Sequence, residues 1–205
     1  MTRSNTYSQQ EQGWMVYPGR GWRKFLFKLP LYRWRLGLAR LLSPNYLLLT
    51  ITGRKSGQTR RTMLEYTYAN GHIYLSSGWG KRSQWVQNVL ANPLVTVQTV
   101  REGTVSGKAI PVTDEQEMAL FYARAQGHSP IWKEYLTSWG IADNVQDFVL
   151  KRERLCVLHI DPVDEPNPPP LTADRKWVWL VFGLMALVLM WIGRPSVRSA
   201  TARKV

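Results

Sequence analysis

From Asn45 onward the apolar and polar positions fall into short runs broken by turn residues, a pattern that predicts strands. Tyr46 to Thr52 is apolar and β-branched, as a buried strand is. Thr62 to Ala69 alternates, with Leu64, Tyr66 and Tyr68 on one face and Met63, Glu65 and Thr67 on the other. Asn70-Gly71 then predicts a type I′ hairpin into a returning strand, His72 to Ser77. Leu94 to Val100 and Thr104 to Val112 read as a second hairpin around Glu102-Gly103, and Leu155 to Ile160 as a last strand. The period lengthens between them. Lys81 to Ala91 reads as a helix with Trp85, Val86, Val89 and Leu90 inward, stopped by Asn92-Pro93. Thr113 with Gln116 has the spacing of a capping box for a helix ending near Gly127. Trp132, Tyr135, Leu136 and Trp139 share one face of a helix after Ser129-Pro130, and Asp143 to Leu150 reads as a further helical piece. Antiparallel hairpins with inserted helices predict an α+β fold on a small barrel or rolled sheet, over residues 44–163.

The flanks follow different rules. Residues 1–19 are polar, read as disordered, and lack the apolar region of a signal peptide. Residues 20–43 are basic and amphipathic: Trp22, Phe25, Leu26 and Leu29 fall on one helical face, and Leu31, Trp34, Leu38, Leu41 and Leu42 form a second stripe. The first stripe fits contact with anionic lipid, the second packing on its own domain. Residues 164–176 read as a proline-rich, extended linker. Residues 177–193 are uncharged, with Trp177, Trp179 and Trp191 at the ends and Arg175, Lys176 and Arg194 flanking, which predicts a transmembrane helix. Residues 194–205 are a basic tail. Arg194, Arg198, Arg203 and Lys204 outnumber Arg175 and Lys176, so a simple charge count places the tail in the cytoplasm. The lack of a secretory signal and the basic helix argue the reverse: a cell-membrane protein with its domain on the cytoplasmic side.

Charge adds a partner to this picture. The 205 residues hold 27 Lys and Arg against 14 Asp and Glu, a net +13, so an anion is expected: a phosphorylated cofactor, anionic lipid or nucleic acid. Nucleic acid lacks any recognition signature here. The cations concentrate after the first strand, where Arg54, Lys55, Arg60 and Arg61 stand among Gly53, Ser56 and Gly57. Glycines that admit backbone N–H groups, beside cations, suit an anion; a solvated basic turn fits the same residues. The order of residues is not that of a Walker loop. His72, His128 and His159 lack metal-ligand spacing, and no metal site is expected. Cys156 and His159 lie three apart on a strand and face opposite ways, so they are no nucleophile pair. With no nucleophile, metal or carboxylate pair, hard chemistry falls to a bound cofactor.

Two motifs carry a resemblance. Leu48-Leu49-Thr50-Ile51-Thr52-Gly53-Arg54-Lys55-Ser56-Gly57, with Arg60-Arg61-Thr62 and Tyr66, precedes Trp85-x-x-Asn88-x-x-Ala91-Asn92-Pro93-x-Val95-x-Val97. In that order they resemble the deazaflavin-dependent nitroreductase family and its quinone reductase relatives, over about Leu36 to Val163. The resemblance implies a split β-barrel that binds the 8-hydroxy-5-deazaflavin coenzyme F420, whose phosphodiester and polyglutamate tail is anionic, with FMN as the alternative. It implies cofactor contacts at Gly53, Arg54, Lys55, Ser56, Gly57, Arg60, Arg61, Ser76, Ser77, Gly78 and Trp85. It implies substrate contacts at Tyr66 and Tyr135, with Tyr66 either a hydrogen-bond donor or a core residue. Gly78-Trp79-Gly80 departs from the Ser-Lys-Gly-Gly of many members, which leaves the ring pocket and the substrate open. The implied reaction is hydride transfer to a quinone, nitro compound or other electrophile, with a lipophilic acceptor favoured by the membrane-seeking segments. A non-catalytic membrane-surface binder of cofactor or lipid is the other class. Oligomeric state is left open.

Overall fold

The computed structural model describes residues 31–38, 44–127, 129–174 and 176–192. Six strands build the body: β1 (Tyr46–Thr52), β2 (Thr59–Ala69), β3 (His72–Ser76), β4 (Leu94–Gln98), β5 (Thr104–Pro111) and β6 (Val157–Pro162). They close antiparallel in the order β1-β2-β3-β6-β5-β4, so no strand edge is left open. The α+β barrel is therefore as expected. Alternation sorts its side chains: Leu47, Leu49 and Ile51 of β1, Ile73 and Leu75 of β3, Val95 and Val97 of β4 and Leu158 and Ile160 of β6 fill one core cluster. The first hairpin turns as its sequence requires, with Asn70 and Gly71 at φ 48° and 82°. Cys156 lies in the barrel core, and burial pushes its thiol up.

A second core lies outside the barrel. Tyr74, the outward residue of β3, packs with α3 (Glu115–Ala125), α4 (Trp132–Ser138) and α5 (Val145–Leu150) through Phe121, Tyr122, Trp132, Leu136 and Phe148. The cap of α3 is Asp114 rather than Thr113: its carboxylate accepts from the Glu117 N–H at 2.8 Å, a stronger acceptor than a hydroxyl at a positive helix end. Between β3 and β4, α2 (Gln84–Ala91) buries Val86, Asn88 and Val89, whereas Leu90 faces out.

The C-terminal segment departs from expectation twice. Residues 163–171 are extended but docked. The Asn167 side chain donates to the carbonyls of Val95 and Gly107, Thr96 donates to Pro168, and the Gln98 amide both donates to the Leu171 carbonyl and accepts from its N–H. Buried polar side chains on β4 need partners, and the proline-rich backbone, rich in free carbonyls, provides them. Then α6 (Lys176–Ile192) follows, 17 residues long. At 1.5 Å per residue it reaches about 26 Å, less than a hydrocarbon core of ~30 Å. Among the described residues no helix is long and apolar enough to cross a membrane, so the transmembrane helix of the expected fold class is corrected. Residues 31–35 form a helical turn, α1. The expected helix from Trp22 to Leu29 and the basic tail lie outside the described residues.

Candidate active site

The basic segment is part loop, part strand. Residues 53–58 make a tight turn in which the Gly53 carbonyl accepts from Gly57 N–H at 2.8 Å and Gly53 N–H donates to Gln58 at 2.8 Å. Gly57 sits at φ +65°, which favours glycine, and a Cβ on Gly53 would lie a tight 3.1 Å from the Gln58 carbonyl. Arg60 and Arg61 are not in the loop. They lie on β2, opposite Ile51 and Thr50 of β1, because β2 begins at Thr59 rather than Thr62.

Arg54 is held by neutral groups only. Its guanidinium donates to the side-chain oxygens of Asn88 at 2.9 Å, Gln87 at 2.5 Å and Gln84 at 3.2 Å, and its backbone N–H donates to Asn88 at 3.2 Å. Three amide side chains of α2 thus fix the cation without cancelling it. Arg60 donates to Ser56 and Gln58, and Arg61 to the Pro169 carbonyl. Among the described residues, none of Arg54, Lys55, Arg60 and Arg61 is in an ion pair. Asn88 was not a candidate from sequence. The signal was there: an asparagine between Val86 and Val89 on the buried face of α2 has to satisfy its amide.

These residues wall a cavity of about 1280 Å³. Gly53, Arg54, Lys55, Ser56, Arg60, Arg61, Ser76, Gly78, Trp85 and Tyr135 of the expected set line it, joined by Asn88, Gln84, Trp79, Glu65, Tyr74 and Trp132. Three expected residues are not brought to it. Gly57 only shapes the turn. Ser77 is buried, with its hydroxyl donating to the Gly80 carbonyl at 3.0 Å and 2.6 Å from the Ser83 hydroxyl, so it ties the loop after β3 to the start of α2. Tyr66 points into the barrel core and its hydroxyl donates to Glu102, in the β4–β5 turn, at 3.0 Å. Burial first, then that carboxylate, push its phenol up to about 12. The core reading of Tyr66 therefore replaces the donor reading.

Tyr135 has the opposite situation. It is buried on α4 and lines the cavity, with the Ser76 side chain beside its hydroxyl. The Trp132 indole N–H, one turn earlier and also lining the cavity, is buried and unpartnered. Burial pushes the Tyr135 phenol well above its usual range, so at neutral pH it is a donor. An orphaned indole donor beside the Tyr135 hydroxyl in a cavity wall fits a ligand with polar atoms, since an unmade buried hydrogen bond is costly.

A family model described as F420H(2)-dependent quinone reductase matches residues 33–141. Among solved structures, an F420-H2 dependent reductase (FDR-A) is 26% identical, over 58% of this chain and 96% of that one, at a TM-score of 0.44. A protein described as a domain-swapped dimer is 23% identical, over 68% of this chain and 97% of that one, at 0.47. General Stress Protein 26 from Bacillus anthracis is 12% identical, over 64% and 88%, at 0.40.

Proposed function

The chain belongs to the F420H(2)-dependent quinone reductase family, and on that premise we propose that it reduces a lipophilic quinone in the large cavity. It is an oxidoreductase, and its cofactor is coenzyme F420. The observation that carries the site is Arg54, held by three neutral amides, with Lys55 and Arg60 on the same cavity wall. The donor set fits the coenzyme: cations without carboxylate partners suit a phosphodiester and polyglutamate tail, and the orphaned Trp132 N–H with the Tyr135 hydroxyl suits polar ring or acceptor atoms.

Coenzyme F420, when bound and reduced, supplies hydride to an electrophilic acceptor. The rest is the work of this chain. Arg54, Lys55 and Arg60 bind the anionic part, with Ser56 beside them. Trp85 and Trp132 provide flat apolar wall and keep water from the reacting faces. Tyr135 holds its proton at Oη and donates a hydrogen bond to the acceptor oxygen as negative charge grows there. The volume exceeds the usual 300–1,000 Å³ of a single-ligand pocket, which suits two ligands side by side.

The acceptor reaches the site from lipid in this reading. α6 exposes Trp179, Leu180, Phe182, Leu184 and Leu187, a larger apolar surface than a free-standing protein tolerates, and Arg33, Arg35 and Lys176 stand exposed near its start. That surface suits the inner, cytoplasmic leaflet of a cell membrane, entered without being crossed. The test is stopped-flow oxidation of reduced F420 by 2-methyl-1,4-naphthoquinone, alongside flotation with anionic and neutral vesicles. Turnover and anionic-selective flotation are expected. Coenzyme binding without oxidation by any quinone would replace the enzyme reading with a sequestering one, and no flotation would remove the lipid surface.

A further inference from the structure

Two cavities meet at α1. The large one is walled on one side by Leu31, Tyr32, Arg35 and Leu171. A second, of about 280 Å³, is lined by Tyr32, Arg35, Leu36, Asp174 and Trp177, so Tyr32 and Arg35 line both. Hydrogen bonds hold the second cavity in shape. The Trp177 indole N–H donates to the Leu36 carbonyl at 2.8 Å, and the Asp174 N–H donates to the Arg35 carbonyl at 2.9 Å. The Asp174 carboxylate accepts from the Lys176 N–H at 3.0 Å, at the first residue of α6. With these polar groups engaged, the groove presents the Trp177 ring, the Leu36 side chain, the Tyr32 ring and the aliphatic stem of Arg35. Its Trp177 belongs to α6, whose residues from Trp179 onward are exposed and apolar.

We propose that this groove seats the hydrocarbon chain of the acceptor. A quinone ring in the large cavity would send its chain between Tyr32 and Arg35, across Trp177, and out along α6. The inference rests on the reading of the acceptor as a quinone, and it adds that the chain, and not only the ring, is recognised. Continuity argues for this occupant: the groove joins the active cavity at one end and an apolar helix at the other, a path a free polar substrate has no use for. Each methylene taken from water into the groove strengthens binding about fourfold.

The test uses the full chain saturated with F420 and two probes, 2-methyl-1,4-naphthoquinone and the same ring bearing a ten-carbon geranyl chain. The geranylated quinone should show a KM at least about tenfold lower. Leu36→Glu should raise that KM about tenfold or more and so erase the preference. A second reading uses coenzyme-free protein: the part of the tryptophan emission that Trp177→Phe removes should be quenched by the geranylated quinone and not by the short one. Equal KM values in the unaltered chain, or a Leu36→Glu effect of equal size on both probes, would overturn the groove. Quenching at Trp177 without turnover of either quinone would keep the groove and overturn the functional reading. Turnover of both probes alike without quenching would do the reverse.

Discussion

Two charged regions of the barrel are built on opposite plans. On the outer face of β3 and β6, His159 lies 2.5 Å from Glu117 and 3.5 Å from Asp161, and His72 lies 3.0 Å from the same Asp161. Each carboxylate there has an imidazole within reach, and the patch needs nothing from outside. At the β1–β2 turn, Arg54 is held as closely by Asn88, Gln87 and Gln84, yet none of them is charged. Amides give the guanidinium its geometry and leave its charge unspent. A cation that is fixed and uncompensated is set for an anionic ligand, whereas a compensated cluster is a fastening.

The largest effect should come from making the second region resemble the first. Asn88→Asp keeps the shape but sets a carboxylate against Arg54, and F420 affinity should fall about ten- to a hundredfold, as losing a charged hydrogen bond implies. Isothermal titration checks this; an unchanged Kd would show that Arg54 does not meet the coenzyme. Arg60→Ala removes one cation whose only side-chain partners among the described residues are Ser56 and Gln58, and a loss of about tenfold is expected from the same titration.

The smallest effect belongs to the compensated patch. Glu117→Gln should leave F420 affinity as it is and cost about 1 kcal/mol in stability at pH 7. Its pH dependence has a definite sign. Burial, then the Glu117 carboxylate, push the Tyr74 phenol up to about 12 from an ordinary 10.0. The unfolded chain therefore releases that proton first. The contribution is complete below pH 10 and is lost as pH rises through 12. With Glu117→Gln the folded value moves back toward 10, so denaturation curves of the two proteins should converge above pH 10. A gap that widens instead would refute the Glu117–Tyr74 coupling.

These regions also show what the amino-acid order discloses. The alternation of β1 and β3 and the Asn70-Gly71 turn mark the barrel directly, because each signal lies within a few residues of its consequence. The basic run marks the cation wall, but not that Arg60 and Arg61 belong to β2. Alternation assigns Tyr66 to a face of its strand without saying that Glu102 waits at that end of the barrel. Asn88 clasps Arg54 across 34 residues of chain, and only the fold brings them together. The uncharged run at α6, with tryptophan ends and cationic flanks, reads as a spanning helix, but its 17 residues reach only about 26 Å, and the length outweighs those flanking signals. The docking of residues 163–171 was hidden because its acceptors are backbone carbonyls, which every sequence has.

That docked segment has a consequence in time. β6 completes the barrel by entering between β3 and β5, whose partners lie about fifty to ninety residues earlier. Residues 163–171 follow β6 in the chain and bond to β4, β5 and Arg61, so they dock only after β6 has been made. On a ribosome, where synthesis runs from the N-terminus, the cation loop and α2 emerge together and early, while Leu171 and the groove at Trp177 are finished last. The coenzyme wall is thus the oldest part of each new molecule, and the acceptor's entrance is the youngest.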